Sequence, residues 1–343
     1  MPKISVSRKL AGFALCAAAL LSLPAHAGKT LDTIKSRGQL VCGVNVALAG
    51  FSAADSNGNW SGMDVDYCKA LAAAVLGDAS KVKWVPLNAQ QRFTALQSGE
   101  VDILSRNTTW TLTRDASLGA NFVGVMYYDG QGFMVDKKLK VTSAKQLDNA
   151  TVCVQSGTTT EKNLTDYARA NNLKIKPLVF EKNEAATGAY HSGRCQAYTT
   201  DASGLAAERV AAKVPDDNII LPEIISKEPL GPLVRRGDDE FFAISKWVLN
   251  ALVEGEEYGL TQANLDEKKT STDPNIQRIL GTSEDMGALL GLDKEWAYRA
   301  IKATGNYGEI FERNVGKGSP LKLERGLNNL WNKGGILYAP PIR

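Results

Sequence analysis

Strand-like and helix-like segments alternate along this chain, and the alternation runs twice. That pattern predicts mostly parallel sheets flanked by helices. In the first run Leu40–Val44, Val82–Val85 and Val101–Leu104 read as strands, separated by helical stretches over 63–76 and 90–97. After about residue 140 the order repeats, with strands over 151–155, 176–180 and 195–199 and helices over 161–171, 183–192 and 204–212. Ligands of open α/β sheets bind beyond the carboxyl ends of the strands. The polar residues that follow these strands are therefore the first place to look for chemistry.

Three such strand ends carry it. The run VDILSRNTTWTLTRD, from Val101 to Asp115, passes from an apolar strand into Asn107, Thr108 and Thr109, then reaches Arg114, whose planar fork fits a carboxylate. Ser156-Gly157-Thr158-Thr159-Thr160-Glu161 opens a helix with Thr158 and Glu161 at capping-box spacing, presenting free amides to an anion. The third, Cys195-Gln196-Ala197-Tyr198-Thr199-Thr200-Asp201, ends in a carboxylate. One cation, one amide nest and one anion together can grip a zwitterion.

Composition constrains the setting. Lys3, Arg8 and Lys9 precede an apolar stretch over 10–23 and an Ala25-His26-Ala27 cleavage signal, so residues 1–27 read as a signal peptide and the mature chain is expected to begin at Gly28. These three cations account for the whole formal charge of +3, which leaves residues 28–343 formally neutral, without the basic field that favours nucleic acid. Four cysteines remain after cleavage, Cys42, Cys68, Cys153 and Cys195, an even number suited to an oxidising compartment and open to three pairings. The spacings, with His191 as the single remaining histidine, offer no compact zinc ligand set. The mature length suits two domains.

The three polar segments in this order resemble the polar amino acid-binding proteins of bacterial ABC transporters, solute-binding protein family 3. So do the opening strand at Leu40, GMDVDYCKAL at Gly62, RFTALQSGEVDIL at Arg92 and GNYGEIFERN near the C-terminus. From PEIISKEPLGP at Pro222 to the terminal APPIR, the chain looks closest to the general L-amino acid-binding branch, which handles glutamate, glutamine, aspartate and asparagine among others. The resemblance implies a two-lobed, type II Venus flytrap fold, with lobe 1 over 28–134 and 233–343, lobe 2 over 135–232, and a two-strand hinge near Gly132–Lys137 and Leu230–Arg236. A region over about 256–304 without counterpart in shorter members is expected to pack on lobe 1. Cys42 would pair with Cys68 and Cys153 with Cys195, each within one lobe.

For the ligand, the resemblance implies that Arg114 grips the α-carboxylate with the amides of Thr109 and Thr159. Asp201 would hold the α-ammonium, with Asn107 and Thr160 adding polar contacts. Arg92 and Arg106 would meet an acidic or amide side chain. Leu48 stands where narrow-specificity members often place an aromatic, with Phe51, Trp60 and Trp110 as candidate walls. The expected protein is a periplasmic monomer without cofactor, working with a membrane permease. The other reading is an enzyme on the same fold, similar to cyclohexadienyl dehydratases, for which Glu161 and Glu184 are the nearest acid–base candidates, with His191 expected on an exposed helix end.

Overall fold

The structure is a computed structural model and describes residues 30–343; the expected signal peptide and the Gly28 start lie outside them. Two five-stranded sheets form the frame. In the first, Leu40–Asn45 runs parallel to Val82–Leu87 and to Ile103–Leu104; Leu233–Arg235 pairs antiparallel with Ile103–Leu104 on one side and with Ala120–Phe122 on the other. The second repeats this order: Thr151–Gln155 is parallel to Lys176–Phe180 and to Ala197–Asp201, and Gln131–Asp136 runs against Ala197–Asp201 and Asn218–Ile220. Each sheet thus has one reversed strand, and the reason is topological. Both reversed strands follow directly on a crossing between the lobes, so they start at the cleft, where the parallel strands end.

The crossings are Tyr127–Asp129 and Glu228–Leu230, which pair antiparallel as a two-stranded ribbon. This moves the first expected boundary. Residues 131–134, read from sequence as lobe 1, belong to the second sheet, where Gly132 lies opposite Thr200. Gly132 is therefore a packing position, with a Cβ there only 3.2 Å from Leu205. Gly231 is the glycine that the crossing requires: a Cβ would lie 1.9 Å from the Gly124 carbonyl oxygen, while its N–H donates to the Thr108 carbonyl at 3.0 Å.

The central strands are apolar on both faces, as expected for sheets covered twice by helices. In the second sheet Phe133, Val135, Val152 and Val154 pack on one side, while Met134, Cys153 and Tyr198 pack on the other, against Leu205 of helix Ala202–Ala211. Disulfides join Cys42 to Cys68 and Cys153 to Cys195, each inside one lobe. The first ties a strand to the helix Met63–Leu76. The region after 256 packs on lobe 1. Helix Trp296–Thr304 buries Trp296, Ala297, Ala300 and Ile301 in the lobe 1 core, and Arg299 donates to the carbonyls of Ala73 and Ala74 at the end of helix Met63–Leu76. A cation there also complements the helix dipole.

Candidate functional site

The carboxyl ends of both sets of parallel strands meet in one narrow cleft lined by residues of both lobes. Lobe 1 supplies Arg92, Arg106, Asn107 and Thr109 to its wall; lobe 2 supplies Thr159, Thr160 and Asp201. Seven of the eight residues singled out from sequence are thus brought together.

Arg114 lies one layer behind. Its Nη1 donates to the Thr109 carbonyl at 2.9 Å and its guanidinium sits 5.3 Å over the Phe93 ring. Thr111 caps its short helix by accepting from the Arg114 N–H, which fixes where the side chain starts. Phe51, Trp60 and Trp110 are not cleft walls: Phe51 packs edge-on to Tyr127, Trp60 against Trp84, and Trp110 stacks on Phe122. Leu48 does line the cleft, so the wall there is aliphatic.

Lobe 1 shapes its share through a buried carboxylate. Asp64 accepts from the Ser105 hydroxyl at 3.0 Å and from the Asn107 N–H at 3.0 Å, holding Asn107 in the left-handed region at φ 35°. Asn107 Oδ1 in turn accepts from Asn45. Burial pushes the Asp64 carboxyl up to about 7 despite these donors and the nearby Arg106.

The cations and anions of the cleft are unequally matched. Burial, then the neighbouring Arg106 and Arg114, drives Arg92 well below the usual arginine range; its Nη1 donates to Thr108 Oγ1 at 3.3 Å and its Nε has no partner. Arg106 donates to the Leu87 carbonyl at 2.9 Å and is lowered to about 10, chiefly by burial. Opposite them, burial and then the nearby Asp129 and Glu228 hold Asp201 well above the carboxylate range. Among the described residues none of Arg92, Arg106, Arg114 and Asp201 is in an ion pair within 4 Å. Buried charges without partners are costly. Facing groups of both signs in that condition describe a receptor for a molecule that carries both signs itself.

Glu228 was not anticipated. It stands on the second hinge strand, opposite Asp129, and is almost fully buried. Its carboxylate accepts from Thr109 Oγ1 at 2.6 Å in lobe 1, from Thr159 Oγ1 at 2.9 Å and Asn163 Nδ2 at 2.7 Å in lobe 2, and from Ser226 at 2.6 Å. One carboxylate thus joins both lobes beside the binding residues. Nothing in KEPLGP marks it, because the pairing of the hinge strands places it. Other bonds cross the cleft mouth: Asn88 to Glu181 at 3.2 Å and Gln90 to Ser156 at 3.2 Å. The lobes are closed.

The acid–base candidates do not converge. Glu161 caps its own helix start by accepting from the Gly157 N–H, Glu184 is exposed, and His191 lies against a different depression of lobe 2, beside Lys138 and Asn218.

Comparison with known proteins agrees with this geometry. The chain is 58% identical over 341 residues to the general L-amino acid-binding periplasmic protein AapJ of Rhizobium johnstonii, covering 98% of this chain and 100% of that protein. It is 55% identical over 337 residues to the glutamate/glutamine/aspartate/asparagine-binding protein BztA of Rhodobacter capsulatus, covering 98% and 100%. Among solved structures, an ABC transporter periplasmic binding protein from Brucella ovis with glutathione bound superposes with a TM-score of 0.90 at 57% identity, over 92% of this chain and 99% of that one. These relatives are solute-binding transport proteins rather than enzymes. Residues 40–264 match the bacterial extracellular solute-binding proteins, family 3, and the chain belongs to that family.

Proposed function

We propose that this protein is the periplasmic substrate-binding component of an ABC transporter, taking up free L-amino acids with polar side chains and delivering them to a membrane permease. The observation that carries this reading is the meeting of Arg92, Arg106 and Asp201 in one cleft, none of them in an ion pair among the described residues. Asp201 holds the α-ammonium. Arg114, one layer back, orders the Thr109 backbone, and with the amides of Thr109 and Thr159 it stabilises the α-carboxylate. Asn107 and Thr160 complete the polar shell. Arg92, whose Nε has no other acceptor, and Arg106 face the ligand side chain and favour acidic and amide groups.

Capture proceeds by closure. A ligand docks on lobe 1 and lobe 2 swings in to add Thr159, Thr160 and Asp201, which strengthens each ion pair by excluding water. The names of AapJ and BztA support an amino-acid ligand. The glutathione in the Brucella ovis structure fits the same grip, because its γ-glutamyl end carries a free α-amino acid group. The protein acts as a periplasmic monomer whose closed outer surface the permease reads.

The test is a thermal-shift screen of unfolded and refolded protein against the twenty L-amino acids. A ligand at about 100 times its Kd adds roughly 2.7 kcal/mol of stability. Shifts with glutamate, glutamine, aspartate and asparagine are expected. No shift with any amino acid overturns the reading.

A further inference from the structure

We propose that Asp64, buried behind the cleft wall, is a specificity-determining residue: it places Arg106 and offsets its charge, so that an uncharged amide side chain competes with a carboxylate for the same position in the cleft. This rests on the amino-acid reading above and identifies what balances two of its ligand classes.

The placement starts at a helix end. Helix Met63–Leu76 begins against the loop before it, because the Met63 and Asp64 N–H groups donate to the carbonyls of Gly50 at 2.9 Å and Phe51 at 3.0 Å. Gly62 permits so close an approach: it sits at φ 127°, and a Cβ there would lie 2.1 Å from the Phe51 carbonyl oxygen. Asp64 therefore stands in the first helical turn, where the helix dipole favours a carboxylate, and reaches the strand end that carries the site. Its Oδ1 accepts from Ser105 Oγ and its Oδ2 from the Asn107 N–H. Those are the two neighbours of Arg106, so one carboxylate fixes the backbone on both sides of that arginine. Arg106 Nε donates to the Leu87 carbonyl, and among the described residues its two Nη groups have no protein acceptor, which leaves them to the cleft that Arg106 lines.

Asp64 also acts on Arg106 through space. The two form no ion pair within 4 Å, so Asp64 takes none of the guanidinium's donors. After burial, its carboxylate is nonetheless the largest influence on Arg106, and it favours the charged form. An anion held there reduces the positive potential that a ligand side chain meets, in a buried setting where charges are weakly screened. Without it Arg92 and Arg106 present more positive charge, and a carboxylate gains over an amide. Burial raises the Asp64 carboxyl to about 7, with Ser105, Asn107 and Arg106 opposing the rise, so both forms are present near neutral pH. Other titratable groups on the elements packed around this helix are engaged elsewhere. Arg313 and Asn314 take Asp66, Tyr67 donates to the Ser245 carbonyl, Arg299 takes carbonyls at the far helix end, and Asp102, before the same strand, pairs with Arg37. Above about pH 7 the ionised Asp64 lets glutamine compete; as pH falls through that value the carboxyl is neutralised and glutamate gains.

The test is calorimetric titration of refolded protein with L-glutamate and L-glutamine between about pH 5.5 and 8.5, where the glutamate side chain stays ionised. The ratio of the two affinities is the readout, because the α-ammonium and α-carboxylate are common to both ligands and Asp201 and Asp129 act on both alike. The wild-type ratio of glutamate to glutamine affinity is expected to rise by about fivefold or more as pH falls through about 7. In Asp64→Asn the ratio stays at the wild type's low-pH value throughout. Ser105→Ala removes a donor that favours the ionised carboxylate but leaves the charge in place, and it moves the midpoint to higher pH. Thermal melts confirm that each variant is folded, and if Asp64→Asn is not, Ser105→Ala decides. A wild-type ratio that does not change with pH overturns the proposal alone. So does a slope that Asp64→Asn retains, which would assign it to Arg92, or a midpoint that Ser105→Ala leaves in place. A wild type that binds neither ligand overturns it together with the amino-acid reading.

Discussion

Asp201 and Arg114 show how one residue's setting decides its use. Both are buried, and both are moved from their ordinary titration ranges chiefly by desolvation. Removing one member of a buried charge pair costs roughly 3–5 kcal/mol. Asp201→Asn is therefore expected to weaken amino-acid binding by at least about a hundredfold with the melting temperature little changed, checked by titration and calorimetry. The same site predicts proton linkage. Without a ligand cation, Asp201 lies well above its ordinary range, and Asp129, burial first and Glu228 last among its causes, is raised to about 6. The native stability of these protonated carboxyls is full below about pH 4, and the share that Asp129 holds is lost as pH rises through about 6. A ligand ammonium favours the ionised form of Asp201, so binding releases protons and affinity rises as pH climbs above the ordinary carboxylate range. Titrations in two buffers of different ionisation enthalpy measure that release; a binding heat that does not depend on buffer contradicts it.

At the scale of elements, the hinge strand Glu228–Leu230 does more than connect. Its glutamate is satisfied by donors from both lobes at once, and opening removes at least one set. A hydrogen bond to a charged group contributes about 1.5–3 kcal/mol. Glu228→Gln keeps the volume and replaces one acceptor by a donor facing hydroxyls. It is expected to weaken binding of every amino acid by about tenfold or more through a less stable closed form. Equal Kd values for wild type and variant, by titration calorimetry, would show that Glu228 is not part of closure. The helix start at Thr158 and the polar strand ends at Asn107, Thr109 and Asp201 were legible because caps and polar strand termini are local features. The register of the hinge was not, since strands 99 residues apart in the chain pair there. That is why the first crossing lies before Gln131 rather than at Gly132–Lys137.

For the whole molecule, closure is the event on which the proposed capture depends. Thr109 meets Thr159 at 3.3 Å across the cleft, and Gly157, at φ 72°, lies so close under Gln90 that a Cβ would come within 2.9 Å of it. A ligand shifts the balance of open and closed forms only by its difference in affinity for them. Small-angle scattering of refolded protein is expected to show a smaller radius of gyration on adding saturating glutamate. An unchanged radius would remove closure as the capture step.

By itself, the sequence determined the α/β repeat, the family and the small polar residues at strand ends, because these depend on periodicity and on neighbours within a few positions. Asn107, Thr109, Thr159, Thr160 and Asp201 were named from such local signals, Arg92 and Arg106 from the family resemblance, and all reach the cleft. Only the tertiary structure decided that Arg114 lies behind Thr109, that Phe51, Trp60 and Trp110 pack away from the cleft, and that Glu228 bonds to residues of both lobes beside it. Those outcomes depend on which distant surfaces come to face each other when two separately folded lobes close, and burial by a distant lobe leaves no mark on the residues beside it in the chain.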